Sequence, residues 1–210
     1  MKNPVTLLPR RLLVLAAAGL LLLTGCASQK SEPTTQFDFG PATPAQAAQA
    51  QAAAPLAIVV TDATGSSALD SERMFYRLSY ADPLQARTYA NSRWTANPLQ
   101  MTTQRIKTRI AQSGAKVLSE TDASSGVAIL RIDVDEFIHD FRSAAQSEGQ
   151  VALRASVFQG HALVDQRSFT RTTAAGSADA AGGARALAAS TDAIAADIVA
   201  WLGTLNLNRR

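Results

Sequence analysis

The stretch from Gly126 to Thr172 constrains the fold most. Leu130, Ile132 and Val134 alternate with Arg131, Asp133 and Asp135. A period of two puts the apolar side chains on one face of a strand and the charged ones on the other. The phase changes near Glu136, after which Phe137 and Phe141 carry the apolar pattern, and this predicts a bulge. Val151, Leu153, Ala155 and Val157 alternate in the same way, and Leu163–Thr172 reads as a further strand. Turns are predicted at Ser147-Glu148-Gly149-Gln150 and at Gln159-Gly160-His161, so the three strands form an antiparallel meander. A sheet with one apolar face must be covered on that face.

Two segments can supply the cover. Asn97-Pro98-Leu99-Gln100 has a capping residue, a proline suited to the first helical position and a capping-box spacing. Leu99, Thr102 or Thr103, Ile106 and Ile110 then share a helical face, and Gly114 ends it. Near the C-terminus Leu187, Ile194, Ile198, Trp201, Leu202 and Leu205 recur at helical spacing over about 20 residues. The Ala/Gly/Ser-rich stretch Thr173–Gly183 between strand and helix is expected to be a loop, with Gly182-Gly183 as its hinge. Leu56–Val60, Arg73–Leu78 and Gln85–Ala90 read as earlier strands. The expected class is α+β: a mixed, largely antiparallel β-sheet with two main α-helices packed on it.

The 210 residues, 47% of them hydrophobic, suit one domain with a real core. Lys2, Arg10 and Arg11 stand in a segment without acids and account for the whole net charge of +3. The remainder is neutral, which argues against nucleic acid as a partner. The single Cys excludes an intramolecular disulfide and a multi-cysteine zinc site.

Those three cations precede a short apolar run, Leu12–Leu23, and then Leu23-Thr24-Gly25-Cys26. About a dozen apolar residues are short for a bilayer span and suit the core of a signal peptide. The tetrapeptide resembles the lipobox of bacterial lipoproteins. That resemblance implies a diacylglycerol and an N-acyl lipid on Cys26, with residues 1–25 removed. Ala27, rather than Asp, follows the Cys and implies the outer membrane, periplasmic face. The acyl chains together make a stable anchor. Residues 26–54, rich in Ala, Gln and Pro after the lipidated Cys, are expected to be a tether. Phe37-Asp38-Phe39 within it has the alternation of a short strand. The folded domain is expected over 55–207.

Chemistry is sparse. There is no nucleophile elbow, zinc-protease helix, phosphate loop or dinucleotide fingerprint. Asp133, Asp135 and Glu136 are expected to form a solvated strand face, with Asp133 and Asp135 about 7 Å apart if the strand is regular. His139 and His161 have polar or turn neighbours and are expected on the surface. No catalytic residue, metal ligand or non-covalent cofactor is expected, and the chain is not expected to be an enzyme. By contrast, Tyr76–Pro98 concentrates three Tyr, Trp94, Arg77, Arg87 and Arg93. Aromatic and Arg side chains dominate protein interfaces, and Arg stacks on aromatic rings. Arg77, Tyr89, Arg93 and Trp94 are therefore the expected partner-binding residues.

The order Arg73-Met74-Phe75-Tyr76-Arg77, Tyr89, Arg93-Trp94 and Asn97-Pro98-Leu99 resembles the ABC-type transport auxiliary lipoprotein family. Phe37-Asp38-Phe39 and Trp201-Leu202 fit its two ends, so the resemblance covers about 36–205. The Ala/Gln insert at 41–54 departs from the pattern. The resemblance implies a docking role in an MCE-type ABC lipid transport system. Its partners would be an MCE-domain protein, an inner-membrane permease and an ATPase, and it allows a homo-oligomer. The alternative is a periplasmic lipoprotein that itself receives or shuttles lipid.

Overall fold

The structure, a computed structural model, describes residues 33–42, 57–122 and 126–207. Residues 1–25, Cys26 and most of the Ala/Gln/Pro segment lie outside the described residues. In chain order the elements are β1 (Thr35–Phe37), β2 (Ala57–Val60), β3 (Thr64–Gly65), a 3-10 turn (Ser67–Asp70), β4 (Arg73–Arg77), β5 (Ala86–Trp94), α1 (Pro98–Gln112), β6 (Lys116–Leu118), β7 (Ala128–Phe141), β8 (Ser147–Gln159), β9 (Ala162–Ala174) and α2 (Ala180–Leu202).

β7 is the spine. One edge pairs antiparallel with β8, which pairs antiparallel with β9. The other edge is shared in succession by β2, β3 and β4, each parallel to β7. β6 extends the sheet beyond β2, and β5 and then β1 extend it beyond β4. The long ladders are antiparallel and the short ones mostly parallel, so the mixed α+β class holds. Leu130, Ile132, Val134, Val151, Leu153, Ala155 and Val157 are buried on the helix-covered face. The register shifts between Val134 and Glu136, which places the expected bulge at Asp135.

The first helix begins as its sequence dictates. The Asn97 side chain accepts a hydrogen bond from Gln100 N–H at 2.8 Å, with Pro98 in the first turn. α1 closes at Ser113, followed by Gly114 at φ +90°. α2 buries Leu187, Ile194, Ile198 and Trp201 almost completely. Trp201 Nε1 donates to Asp165 on β9 at 2.8 Å, and the indole meets Phe169 edge-on.

Arg105 fastens the layers. It is only 5% exposed, and its Nη1 lies 3.1 Å from Asp192 on α2. Its Nη2 donates to the carbonyls of Phe39 and Gly40, each at 2.6 Å. A buried guanidinium is tolerable only when its donors are matched in this way.

Three expectations change. The β7–β8 reversal is at Arg142–Gln146, where Arg142 N–H donates to the Gln146 carbonyl at 2.9 Å, and Ser147–Gln150 is strand. Gly149 sits in that strand because α2 crosses directly over it: a Cβ there would lie 2.5 Å from Leu187 N. The expected loop Thr173–Gly183 is strand to Ala174 and helix from Ala180, with Asp179 as the cap accepting from Gly182 N–H at 2.7 Å. The chain also joins the sheet upstream of residue 55: β1 pairs with Ser92–Trp94, two residues earlier than Phe37-Asp38-Phe39 predicted. The compact unit accordingly begins at Thr34.

Candidate functional site

The β4–β5 ribbon carries the residues that the sequence singled out, and its register shapes the surface. Arg73 pairs with Arg93, and Phe75 pairs with Thr88. Met74 alone therefore stands against Tyr89, Ala90, Asn91 and Ser92, so β5 bulges away from β4. Trp94 N–H closes the bulge by donating to the Glu72 carbonyl at 2.8 Å. The bulge opens a concavity of about 610 Å³, lined among others by Ser71, Glu72, Arg73, Thr88, Ser92 and Arg93.

Beneath the ribbon is an aromatic cluster. Tyr76 and Tyr89 have ring centroids 4.6 Å apart, and His139 and Phe141 have theirs 4.5 Å apart. The Tyr89 hydroxyl and His139 Nδ1 are 2.8 Å apart in a hydrogen bond. His139 has no exposed surface, which corrects its expected surface position; its Nε2 is buried without a hydrogen-bond partner. Burial lowers its pKa from 6.5 to about 4, outweighing the opposing pull of Asp179 and Asp140. Burial, aided by Tyr76 and Asp179, raises that of Tyr89. Asp140 next along β7 is also buried and accepts from the Ser79 hydroxyl. Arg142 Nε lies 3.2 Å from its second oxygen, close enough for an ion pair but without hydrogen-bond alignment.

The expected partner-binding residues part company here. Tyr89 and Arg93 both line the concavity. Arg77 does not; its Nη1 is held 2.8 Å from Glu136 Oε1. Trp94 is 1% exposed, packed edge-on against Phe39 and Phe137, and has no surface to offer a partner. Alternation along β5 turns it inward while Arg93 faces out. Beyond the ribbon, the connection from β4 to β5 exposes Tyr80 by 52% and Leu84 by 93%.

The carboxylates of β7 do not converge. Asp133 pairs with Arg154 at 2.7 Å and accepts from Thr64 Oγ1, while Glu136 is taken by Arg77. The bulge at Asp135 breaks the regular spacing assumed for Asp133 and Asp135. Among the described residues no group of three His, Cys, Asp or Glu could hold a metal ion. Gly182 and Gly183 are neither a hinge nor an open anion site, since the Asp179 carboxylate caps that helix end and a Cβ on Gly183 would strike His139. His161 is exposed at the β8–β9 turn.

Sequence reasoning missed Arg73 as a site residue and His139 as a buried one. Arg73 is visible in the Arg-Met-Phe-Tyr-Arg strand, but its position opposite Arg93 depends on a bulge that periodicity cannot count.

The sequence profile of the ABC-type transport auxiliary lipoprotein component family matches residues 37–199, from the end of β1 almost to the end of α2. The chain belongs to that family. Its fold is similar to the crystal structure of protein XCC0632 from Xanthomonas campestris, with a TM-score of 0.62 at 22% identity over 81% of this chain and 92% of that one. It is also similar to the crystal structure of an uncharacterized protein, with a TM-score of 0.64 at 12% identity over 81% and 99%. Identities this low establish a shared fold alone. No curated protein matches the sequence. As a member of an auxiliary lipoprotein family, this chain is associated with an ABC transport system. Among the described residues no helix is long and apolar enough to cross a membrane.

Proposed function

We propose that the protein is the outer-membrane-anchored, periplasm-facing docking component of an MCE-type ABC lipid transport system. The family match across the folded unit carries this reading. The Leu-Thr-Gly-Cys motif supports it by offering Cys26 as the acylation site, with Ala27 after it. Such a role requires an anchor, a reach and a binding surface, and no reaction chemistry. Diacylglycerol and an N-acyl chain on Cys26 are the anchor, and the residues up to β1 are the reach. Part of the binding surface is the outer side of the β4–β5 ribbon with Arg93 and Arg77, and Tyr89, whose hydroxyl is bound to His139 beneath the ribbon, contributes where it lines the concavity. Trp94 supports that surface from within the core. An MCE-domain protein docks there, and the permease and ATPase complete the system.

The test is affinity purification from cells after mild cross-linking. The wild type is expected to bring down an MCE-domain protein, and Arg93→Glu to lose it while remaining folded. Recovery of no MCE-domain protein overturns the docking reading, and undiminished recovery with Arg93→Glu overturns the surface assignment. Metabolic palmitate labelling is expected to mark the wild type and not Cys26→Ser; an unlabelled wild type overturns the anchor.

A further inference from the structure

Arg73 and Arg93 stand directly opposite each other in the β4–β5 ladder. Opposite residues of an antiparallel pair have Cβ atoms only about 5 Å apart, and like charges at that position repel. Elsewhere on the sheet Arg154 is paired with Asp133, Arg171 with Asp197, and Arg87 with Gln85. Among the described residues neither the Arg73 nor the Arg93 side chain has an ion pair or hydrogen bond. Both line the concavity that the four-residue bulge opens, together with the hydroxyl-bearing Ser71, Thr88 and Ser92.

We propose that this concavity is a binding site for a phosphate group, gripped by Arg73 and Arg93 and oriented by the surrounding hydroxyls. Two guanidinium forks and neutral O–H donors match an anion with several oxygens directed tetrahedrally. A carboxylate has two oxygens in one plane and needs only one fork. At about 610 Å³ the concavity has room for a phosphate that carries a substituent. The ligand can therefore be a lipid headgroup phosphodiester or free phosphate, and both share the chemistry that the arginines select. Glu72 also lines the concavity and opposes the bound charge, which weakens binding and favours release. Arg93 also belongs to the proposed docking surface, but phosphate binding is read on this chain alone, so the two readings fail separately.

The experiment is isothermal titration calorimetry on the full chain in dodecyl maltoside and phosphate-free buffer. The probes are inorganic phosphate, dihexanoyl phosphatidylglycerol and dihexanoylglycerol. The wild type is expected to bind a phosphate-bearing probe with one-to-one stoichiometry and not to bind dihexanoylglycerol. Preference for the phosphatidylglycerol identifies a lipid headgroup, and preference for inorganic phosphate a soluble ligand. Arg73→Gln/Arg93→Gln is expected to weaken binding at least tenfold, Glu72→Gln to tighten it, and Arg87→Gln, outside the concavity, to leave it unchanged. The double variant is also expected to melt no lower than the wild type, because it removes a repulsion. The proposal is overturned if no phosphate probe binds, if dihexanoylglycerol binds as well as the phosphatidylglycerol, or if the double variant binds like the wild type. It is equally overturned if Arg87→Gln weakens binding as much as the double variant does.

Discussion

Gly183 packs so tightly against His139 that a Cβ on the glycine would lie 2.3 Å from the imidazole Nδ1. The first turn of α2 therefore rests on the β7 imidazole, and that imidazole shares its Nδ1 hydrogen bond with Tyr89 of β5. The helix layer and the β4–β5 ribbon are joined through this contact.

Gly183→Ala is expected to destabilise the fold by about 2 kcal/mol, the ordinary scale for overpacking a core. Neither the His139 ring nor the helix backbone can retreat without breaking other contacts. The melting temperature should fall by several degrees. An unchanged melting temperature would mean that the helix start is free to shift.

His139 gives the protein an acid-sensitive element. Its pKa is lowered to about 4 in the fold, against 6.5 for the unperturbed group. The unfolded chain then binds more protons between these values, so stability is full above pH 6.5 and declines as pH falls toward 4. The loss amounts to about 3 kcal/mol. Chemical denaturation at stepped pH should show the decline in the wild type and a much flatter profile in His139→Gln. Equal slopes in that window would assign the acid sensitivity to groups other than His139.

The meander and the bulge near Glu136 were legible because a period-two pattern reports directly which face is buried, and the caps of α1 were legible from Asn97-Pro98 and Gly114. What misled was glycine. In sequence, Gly149 and Gly182-Gly183 have the look of turn and hinge residues. In the fold Gly149 and Gly183 are small because α2 crosses β8 and β7 at close range, while Gly182 is crowded by Ser177 just before the helix. The contacts of Gly149 and Gly183 join residues far apart in the chain, and local patterning carries no trace of them. His139 was misplaced for a related reason: its neighbour Asp140 suggested solvent, yet that carboxylate is buried with the Ser79 hydroxyl bound to one oxygen and Arg142 as its ion-pair neighbour. Of the site, the Tyr/Arg/Trp segment was readable from composition, while the Arg73–Arg93 opposition depended on a register that only pairing reveals.

Arg105 makes the start of the domain depend on the helix layer. Arg105→Ala would leave the Phe39 and Gly40 carbonyls without their donor and Asp192 with Arg109 as its remaining guanidinium. A cost of about 3 kcal/mol follows from breaking a buried charge pair. Hydrogen exchange should accelerate at the Thr35–Phe37 amides more than in β7–β9, because β1 loses its tie to α1. Uniform acceleration across the sheet would show that the arginine supports the whole fold rather than that junction.

Leu84 separates folding from docking. It is 93% exposed at the β4–β5 connection, with Tyr80 nearby in the chain at 52%. A single exposed apolar side chain contributes little to stability, so Leu84→Ser should alter the unfolding free energy by less than about 0.5 kcal/mol. If the β4–β5 ribbon docks as proposed, that loss of apolar contact area should still reduce recovery of the MCE-domain protein severalfold in cross-linked pull-downs. The expected result is a variant that melts like the wild type and captures less partner. Undiminished capture would confine the docking surface to the part of the ribbon around Arg93.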